Sequence, residues 1–330
     1  MKRTEFYFGL LALGLLSVSC EDRIDVDLNA AAPRVVIEAD LDDMYTHLPR
    51  PPKDGQNPPE GGVLPPEGGW GEDGEWKGPK QFVYVSRSVA FDDHRHRETI
   101  SDATVEIEEV DTGKKFPFVY AEDEDAETRL GMDPFFLLPY ESDTFAPVPG
   151  RTYTLRVWVD GQLYASSETM PAYIEPDSIT AERDDRFGDD ARYYGVFEFR
   201  DPPGEANYYR YMPFYGHNLP ISFGDHRVFS DKFNDGRKAN HRFKVSVWNS
   251  GSDEEGKTKI VSRVKRQVIS PAVYQYWRGA RAINPAATAP ANPTSNISNG
   301  ALGYFSVSSA RLHQVDISEV YQPGEGSGGN

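Results

Sequence analysis

A single thiol, two histidines one residue apart and a few carboxylate clusters are the groups in this chain whose type and spacing could do chemistry. The thiol is Cys20, the only cysteine in 330 residues. It follows a basic head, Met1-Lys2-Arg3, and an apolar run from Phe6 to Val18 (FYFGLLALGLLSV). That run is shorter than the roughly 20 residues a membrane-spanning helix needs. With its charged head and small residues before the cysteine, it reads as a secretory leader over residues 1–19. A cysteine at the cleavage point resembles the bacterial lipobox. It is expected to take a diacylglyceryl group on sulfur, become the new N-terminus and gain a further fatty acyl chain such as palmitate. More than one chain is needed, because a single one holds a protein to a bilayer only marginally. Ser17 stands where such sites prefer leucine, and Leu16 lies one place earlier.

His94 and His96, in Asp92-Asp93-His94-Arg95-His96, form the strongest metal candidate. On a strand both would face one way, since side chains alternate, and imidazole suits zinc or copper. Arg95 and Arg97 intervene and no third ligand is set by spacing, so a solvated polar loop is the favoured reading and no metal or other cofactor is expected. The acidic runs 122–125 and 184–190 carry carboxylates of the kind calcium takes, without the spacing of a calcium loop. The aromatic stretch Tyr208-Tyr209-Arg210-Tyr211-Met212-Pro213-Phe214-Tyr215 could stack sugars. Alternation sends Tyr209, Tyr211 and Tyr215 to one face and Tyr208, Met212 and Phe214 to the other, and packing into the core and under a helix is favoured. The remaining histidines are scattered, and no Gly-x-Ser-x-Gly elbow or phosphate-binding glycine loop is present. A non-enzymatic protein is therefore expected, although a carboxylate-pair hydrolase needs no local motif.

The formal charge of −17 argues against nucleic acid as a partner, since no basic excess exists to displace phosphate counterions. One cysteine excludes an intrachain disulfide.

The elements that would position these groups are mostly strands. After an acidic tether (20–32), PRVVIEADL alternates with period two. Residues 48–80 are a Pro/Gly-rich insert bearing Trp70 and Trp76; exposed tryptophans can be binding anchors, and tucking back onto the domain is the favoured reading. Strands resume at 81–89, 103–110 and 116–120, with Pro117 pointing to an edge. PGRTYTLRVWVDGQLYASSETMP is a hairpin around Asp160-Gly161 of type I′. It places Val157 opposite Tyr164, Leu155 opposite Ser166 and Trp158 opposite Leu163. This ends an Ig-like or transthyretin-like β-sandwich over 33–172. A second β-rich domain, 173–320, has strand runs at 193–201, 206–216, 241–249 and 257–270. Ser270-Pro271 then starts a helix over about 271–282, with Val273, Tyr276, Trp277 and Ala280 on one face. Two last strands, LGYFSVSS and RLHQVDIS, precede a frayed tail at 321–330. The fold class is thus mainly β with one packed helix.

The opening Cys-Glu-Asp-x-Ile-Asp-x-Asp-Leu, then PRVVIEA, VPGRTYTLRVWVDGQLYASSETMP, EPDSI, SPAVYQYWRGA and SNISNGALGYFSVSS, together resemble a bacteroidete outer-membrane lipoprotein family catalogued as domain of unknown function 4249. The likeness spans Cys20 to about Ser309, and the insert is longer than the family's usual first loop. Members are typically encoded beside TonB-dependent receptors. The resemblance implies an accessory or binding partner of an uptake system, held in the outer membrane through acylated Cys20 with a TonB-dependent β-barrel receptor as its protein partner. It also implies that Glu21 and Asp22 act as an export signal to the cell surface, the periplasmic leaflet being the alternative. Asp177-Ser178-Ile179 is similar to the O-glycosylation signal of such envelope proteins, which makes Ser178 a weak modification candidate. A stand-alone adhesin or glycan-binding lipoprotein is the alternative function, and an envelope hydrolase ranks last.

Overall fold

The computed structural model describes residues 32–44, 81–89, 98–120, 136–137, 145–186, 191–213, 226–245, 248–252, 258–282 and 292–321. Its strands are β1 (Val35–Asp42), β2 (Phe82–Arg87), β3 (Thr104–Glu109), β4 (Lys114–Tyr120), β5 (Phe136–Leu137), β6 (Thr152–Val159), β7 (Gln162–Thr169), β8 (Ser178–Asp184), β9 (Arg192–Arg200), β10 (Tyr208–Pro213), β11 (Arg227–Ser230), β12 (Lys238–Lys244), β13 (Trp248–Ser252), β14 (Thr258–Ile269) and β15 (Leu302–Asp316). The helix α1 spans Pro271–Ala282. The protein is mainly β, and its strands form two sheets. The larger has the order β11-β10-β14-β15-β1-β2-β5-β4-β3-β6-β7, with β13 beside β14, and the smaller is β12-β9-β8.

The β6–β7 hairpin forms because Asp160 and Gly161 both take positive φ, 51° and 77°, the backbone a type I′ turn requires. Its register pairs Val157 with Tyr164, Leu155 with Ser166 and Trp158 with Leu163, as the two-residue loop predicts. Ser270 caps α1, with the Val273 amide donating to its Oγ at 3.3 Å, and Pro271 takes the first helical position, where a missing N–H costs nothing. Val273, Tyr276 and Trp277 are its buried residues.

Three hydrophobic cores result, the third formed by Ile269, Val273, Tyr276, Trp277 and Tyr304 where α1 meets the larger sheet. Ile37, Ala39 and Leu41 of β1 and Val83 and Val85 of β2 pack with Val105, Ile107, Leu155 and Val157 across a sandwich. Phe197 and Phe199 of β9 and Ala239 and Phe243 of β12 cover Tyr209, Tyr211, Val264, Val268 and Val315 of the larger sheet. Fully burying one such side chain contributes about 1.5–3 kcal/mol. β15 serves all three cores: Phe305 and Val307 lie in the first, Val315 in the second and Tyr304 in the third. It pairs in parallel with β1, Val36 beside Leu302 through Asp42 beside Ser308, and antiparallel with β14. The first and last of the described strands are therefore neighbours in one sheet.

Three readings of the strands change. LGYFSVSS and RLHQVDIS are one strand, because the small residues Ser308, Ser309 and Ala310 between them are buried ladder positions rather than a turn. The 241–249 run is two strands in different sheets, β12 on β9 and β13 on β14. β5, β8 and β11 are additional strands.

Candidate functional site

The face of β10, β14, β15 and β1 that looks away from the first two cores and lies partly under α1 is the unusual surface of this protein. A strand shows alternate residues to opposite faces. With Tyr209 and Tyr211, Phe305 and Val307, and Ala39 and Leu41 turned inward, Arg210, Ser306, Ser308, Asp40 and Asp42 turn outward. The register sets Arg210 beside Gln267 and Met212 beside Lys265. It also sets Ser306 beside Asp40 and Ser308 beside Asp42. An outward sheet face is normally solvated, yet here Arg210 is 2% exposed and Gln267 0%. Asp42, Lys265, Ser306 and Ser308 are buried as well. A buried polar cluster is more informative than a buried apolar one, because charges leave water only when paired.

The charges form two crossed pairs. Arg210 Nη1 donates to Asp40 Oδ2 at 2.9 Å, and Lys265 Nζ donates to Asp42 Oδ2. Gln267 Nε2 donates to Asp40 Oδ1 at 3.1 Å and to Ser308 Oγ at 2.8 Å, linking β14, β1 and β15. The Gln81 amide clasps the Asp42 backbone: its Nε2 donates to the carbonyl at 2.6 Å, and its Oε1 accepts from the amide at 3.2 Å. Next along, Arg311 Nη1 lies 3.2 Å from both oxygens of Asp43, which also accepts from the Ala310 amide at 2.7 Å. α1 roofs one end of the cluster. The Trp277 ring lies 4.0 Å from the Arg210 guanidinium carbon and 4.5 Å from the His226 ring, and Tyr276 lies 4.6 Å from Tyr304.

Burial and pairing move these groups in different directions. For Asp40 burial raises the pKa, but the charges of Arg210 and Lys265 and the hydrogen bonds from Gln267 and Arg210 outweigh it and hold the carboxyl below its ordinary value. For Asp42 burial dominates, the neighbouring Asp40 adds to it, and the pKa rises despite Lys265. Burial holds His226 neutral, down to about 2. Arg210 Nε, Gln267 Oε1 and Ser306 Oγ are buried with no hydrogen-bond partner among the described residues. The crossed pairs balance in charge, so the cluster favours neither a free anion nor a free cation.

A second polar cluster sits between the two sheets. Arg266 packs its guanidinium against Phe199 at 4.7 Å, Tyr209 at 5.0 Å and Tyr173 at 5.1 Å. It donates to Tyr211 Oη at 3.0 Å and to the Ile174 carbonyl. Tyr211 Oη bonds His241 Nδ1 at 2.9 Å, Tyr173 Oη bonds His313 Nε2 at 2.6 Å, and Tyr209 donates to Asp201 at 2.5 Å. Burial, helped by the Arg266 charge, depresses His241 to about 3 and His313 to about 4. These neutral rings brace the packing between the two sheets.

Of the residues singled out by sequence, Tyr209 and Tyr211 lie in the core and Tyr208 packs 4.9 Å from Tyr274 of α1, which is the favoured reading of that stretch; Phe214 and Tyr215 lie outside the described residues. Ser178 opens β8, where its Oγ donates to Glu198 Oε2 at 3.1 Å. Asp184 accepts from Arg186 Nε at 2.8 Å and Nη2 at 2.6 Å, and these bonds lower its pKa to about 2. It is thus engaged by a guanidinium. Cys20, Glu21, Asp22, Trp70, Trp76, His94, His96 and the 122–125 run lie outside the described residues. Among the described residues no three His, Cys, Asp or Glu side chains group to hold a metal ion. Sequence reasoning passed over Asp40, Asp42, Arg210, Lys265 and Gln267. Their signal was charge on both members of adjoining strands that are otherwise aromatic or β-branched.

No curated protein and no solved structure matches the chain. A family model does, over residues 77–313, which takes in Arg210, Lys265, Gln267 and α1. That span is well over half of the 330 residues, and the chain belongs to the family described as Domain of unknown function (DUF4249).

Proposed function

We propose that the protein is a lipid-anchored protein of the outer membrane that presents a rigid β scaffold as an accessory or binding partner of a TonB-dependent uptake system. The observation that carries the reading is Cys20, placed at the end of an apolar leader and ahead of the acidic residues Glu21 and Asp22. The fold is consistent with a tether pulling at this point. The chain that follows Cys20 enters the sheet as β1, which is hydrogen-bonded on one side to β15 and on the other to β2. β1 is further cross-braced to β10 and β14 through Asp40 and Asp42. A load on the anchor is thus borne by a central strand rather than an edge.

The test is to isolate the outer membrane in mild detergent from cells carrying the native protein or its Cys20→Ser variant. The native protein should fractionate with the membrane and co-isolate with a β-barrel receptor, and Cys20→Ser should do neither. A native protein recovered repeatedly without any receptor would remove the uptake role, and a Cys20→Ser variant still membrane-bound and acylated would remove the anchor.

A further inference from the structure

One edge of the smaller sheet carries a positive strip on an otherwise acidic protein. β12 is an end strand of that sheet, with β9 on one side and, among the described residues, no strand on the other. Its burial alternates without a break. Ala239, His241 and Phe243 lie in the core, and Lys238, Asn240, Arg242 and Lys244 are exposed. The backbone alternates in the same way. The Asp201 amide donates to the Arg237 carbonyl and the Val245 amide to the Tyr193 carbonyl, both at 3.0 Å. Arg237, Ala239, His241, Phe243 and Val245 therefore direct their main-chain groups at β9. Those of Lys238, Asn240, Arg242 and Lys244 point to the open edge. The core holds the strand in place: the His241 ring stacks on Phe229 at 4.2 Å, and Phe243 lies 4.5 Å from Tyr211. The edge is thus ordered before any partner arrives, which lowers the cost of binding.

Charge says what this edge accepts. Lysine on an edge strand normally guards it against chance pairing, and that guard repels basic strands and disfavours apolar ones without excluding acidic ones. On the outward face Lys238 stands directly opposite Arg200, a like-charge pair that costs stability. Lys238 reaches Glu198 at 2.8 Å, and Arg242 reaches Glu182 at 2.6 Å. Arg200, Arg237 and Lys244 have no carboxylate within ion-pair distance among the described residues. In a chain of formal charge −17, these unpaired cations make a local field of the opposite sign. From Lys238 to Lys244 the strip runs about 20 Å along the strand.

We propose that the open edge of β12 takes up an extended acidic segment of a partner protein as one more strand of the smaller sheet. Main-chain groups of the segment pair with those of Lys238, Asn240, Arg242 and Lys244. Carboxylates on its alternate residues meet the side chains of Lys238, Arg242 and Lys244, since directly opposed side chains on neighbouring strands stand about 5 Å apart. Strand addition of this kind takes its affinity from the main chain and its selectivity from alternate side chains. The inference goes beyond the anchor reading and does not depend on it.

The experiment uses the full-length protein in detergent micelles and a fluorescent probe peptide in which glutamate alternates with threonine. Three other peptides are compared with it: one with glutamine for glutamate, one with lysine for glutamate, and the acidic peptide N-methylated at alternate amides, which keeps its charge and loses its strand pairing. Fluorescence anisotropy should show binding of the unmethylated acidic peptide alone, and hydrogen exchange should slow over residues 238–244. Lys238→Glu together with Lys244→Glu should weaken binding at least about tenfold, as the loss and reversal of exposed ion pairs implies. Both side chains lie outside the core, so the urea midpoint should hardly move. Asn240→Pro removes an N–H that faces the open edge and should also block binding. An acidic peptide that binds equally well when N-methylated is held by charge without an added strand and overturns the proposal. So does an acidic peptide that fails to bind at millimolar concentration. Self-association of the protein that disappears with Lys244→Glu overturns it too, because the edge would then belong to a second copy, through Glu182 and Asp184 of its β8.

Discussion

Removing the Asp40 carboxylate should expose how strongly the buried pairs hold β1 in place. In Asp40→Ala the Arg210 guanidinium, 2% exposed, loses its only carboxylate within ion-pair distance among the described residues, and Gln267 loses one of its two acceptors. Leaving one buried charge uncompensated costs about 3–5 kcal/mol. A unit of this size loses about 2–4 °C of melting temperature per kcal/mol, so a fall of roughly 6–20 °C is expected. Adding Arg210→Met should recover most of the loss, since replacing both ions by apolar groups is often neutral. The pH dependence has a definite sign. The folded pKa of Asp40 lies below the ordinary 3.8, so its contribution is complete above that value and is lost only as pH falls through the folded pKa. The deficit of Asp40→Ala should therefore be as large at pH 5 as at pH 7. Urea unfolding followed by circular dichroism measures all three quantities. A single-variant loss under about 1 kcal/mol, or a double variant as unstable as the sum of its parts, would refute the idea that these charges act as coupled pairs.

Acid should weaken the fold well before the carboxylates titrate. His226, His241 and His313 are held neutral, with folded pKa values of about 2, 3 and 4, against 6.5 unfolded. Such groups stabilise fully above pH 6.5 and lose that contribution as pH falls toward the folded value, about 1.4 kcal/mol per unit for each; a midpoint that stays constant from pH 7 to 4.5 would contradict this burial. Gly303→Ala should abolish the β1–β15 pairing, because Gly303 has φ +92° and a Cβ there would collide with the Ile37 carbonyl. Loss of soluble, cooperatively folding protein is the expected readout, and a normally folding variant would refute the parallel register. Gly161→Ala, at φ +77° with open space around it, should cost only about 1–2 kcal/mol of backbone strain, measured as a modest shift in the same unfolding curve.

Local chemistry was legible in the sequence and long-range pairing was not. Asp160-Gly161 dictates its own turn, and from it the register of β6 on β7 follows residue by residue. Ser270-Pro271 marks the start of α1 for the same reason, a cap and a proline whose demands are met within one turn. The pairing of β1 with β15 joins residues more than 260 positions apart, and no local preference encodes it. That pairing is also why the polar face was missed. Asp40 in β1, Arg210 in β10 and Gln267 in β14 stand far apart in the sequence, and only their adjacency in the sheet shows that each is there to satisfy the others. The Ser308-Ser309-Ala310 stretch of β15 misled for the same cause, since small polar residues suit both a loop and a buried polar ladder.

The anchor is the claim from which the functional account proceeds, and mass spectrometry of the N-terminal peptide of the protein purified from its native membrane tests it directly. The account predicts a peptide that begins at Cys20 and carries a diacylglyceryl thioether with an added acyl chain. A mature protein that begins at another residue, or a Cys20 with a free thiol, would contradict it.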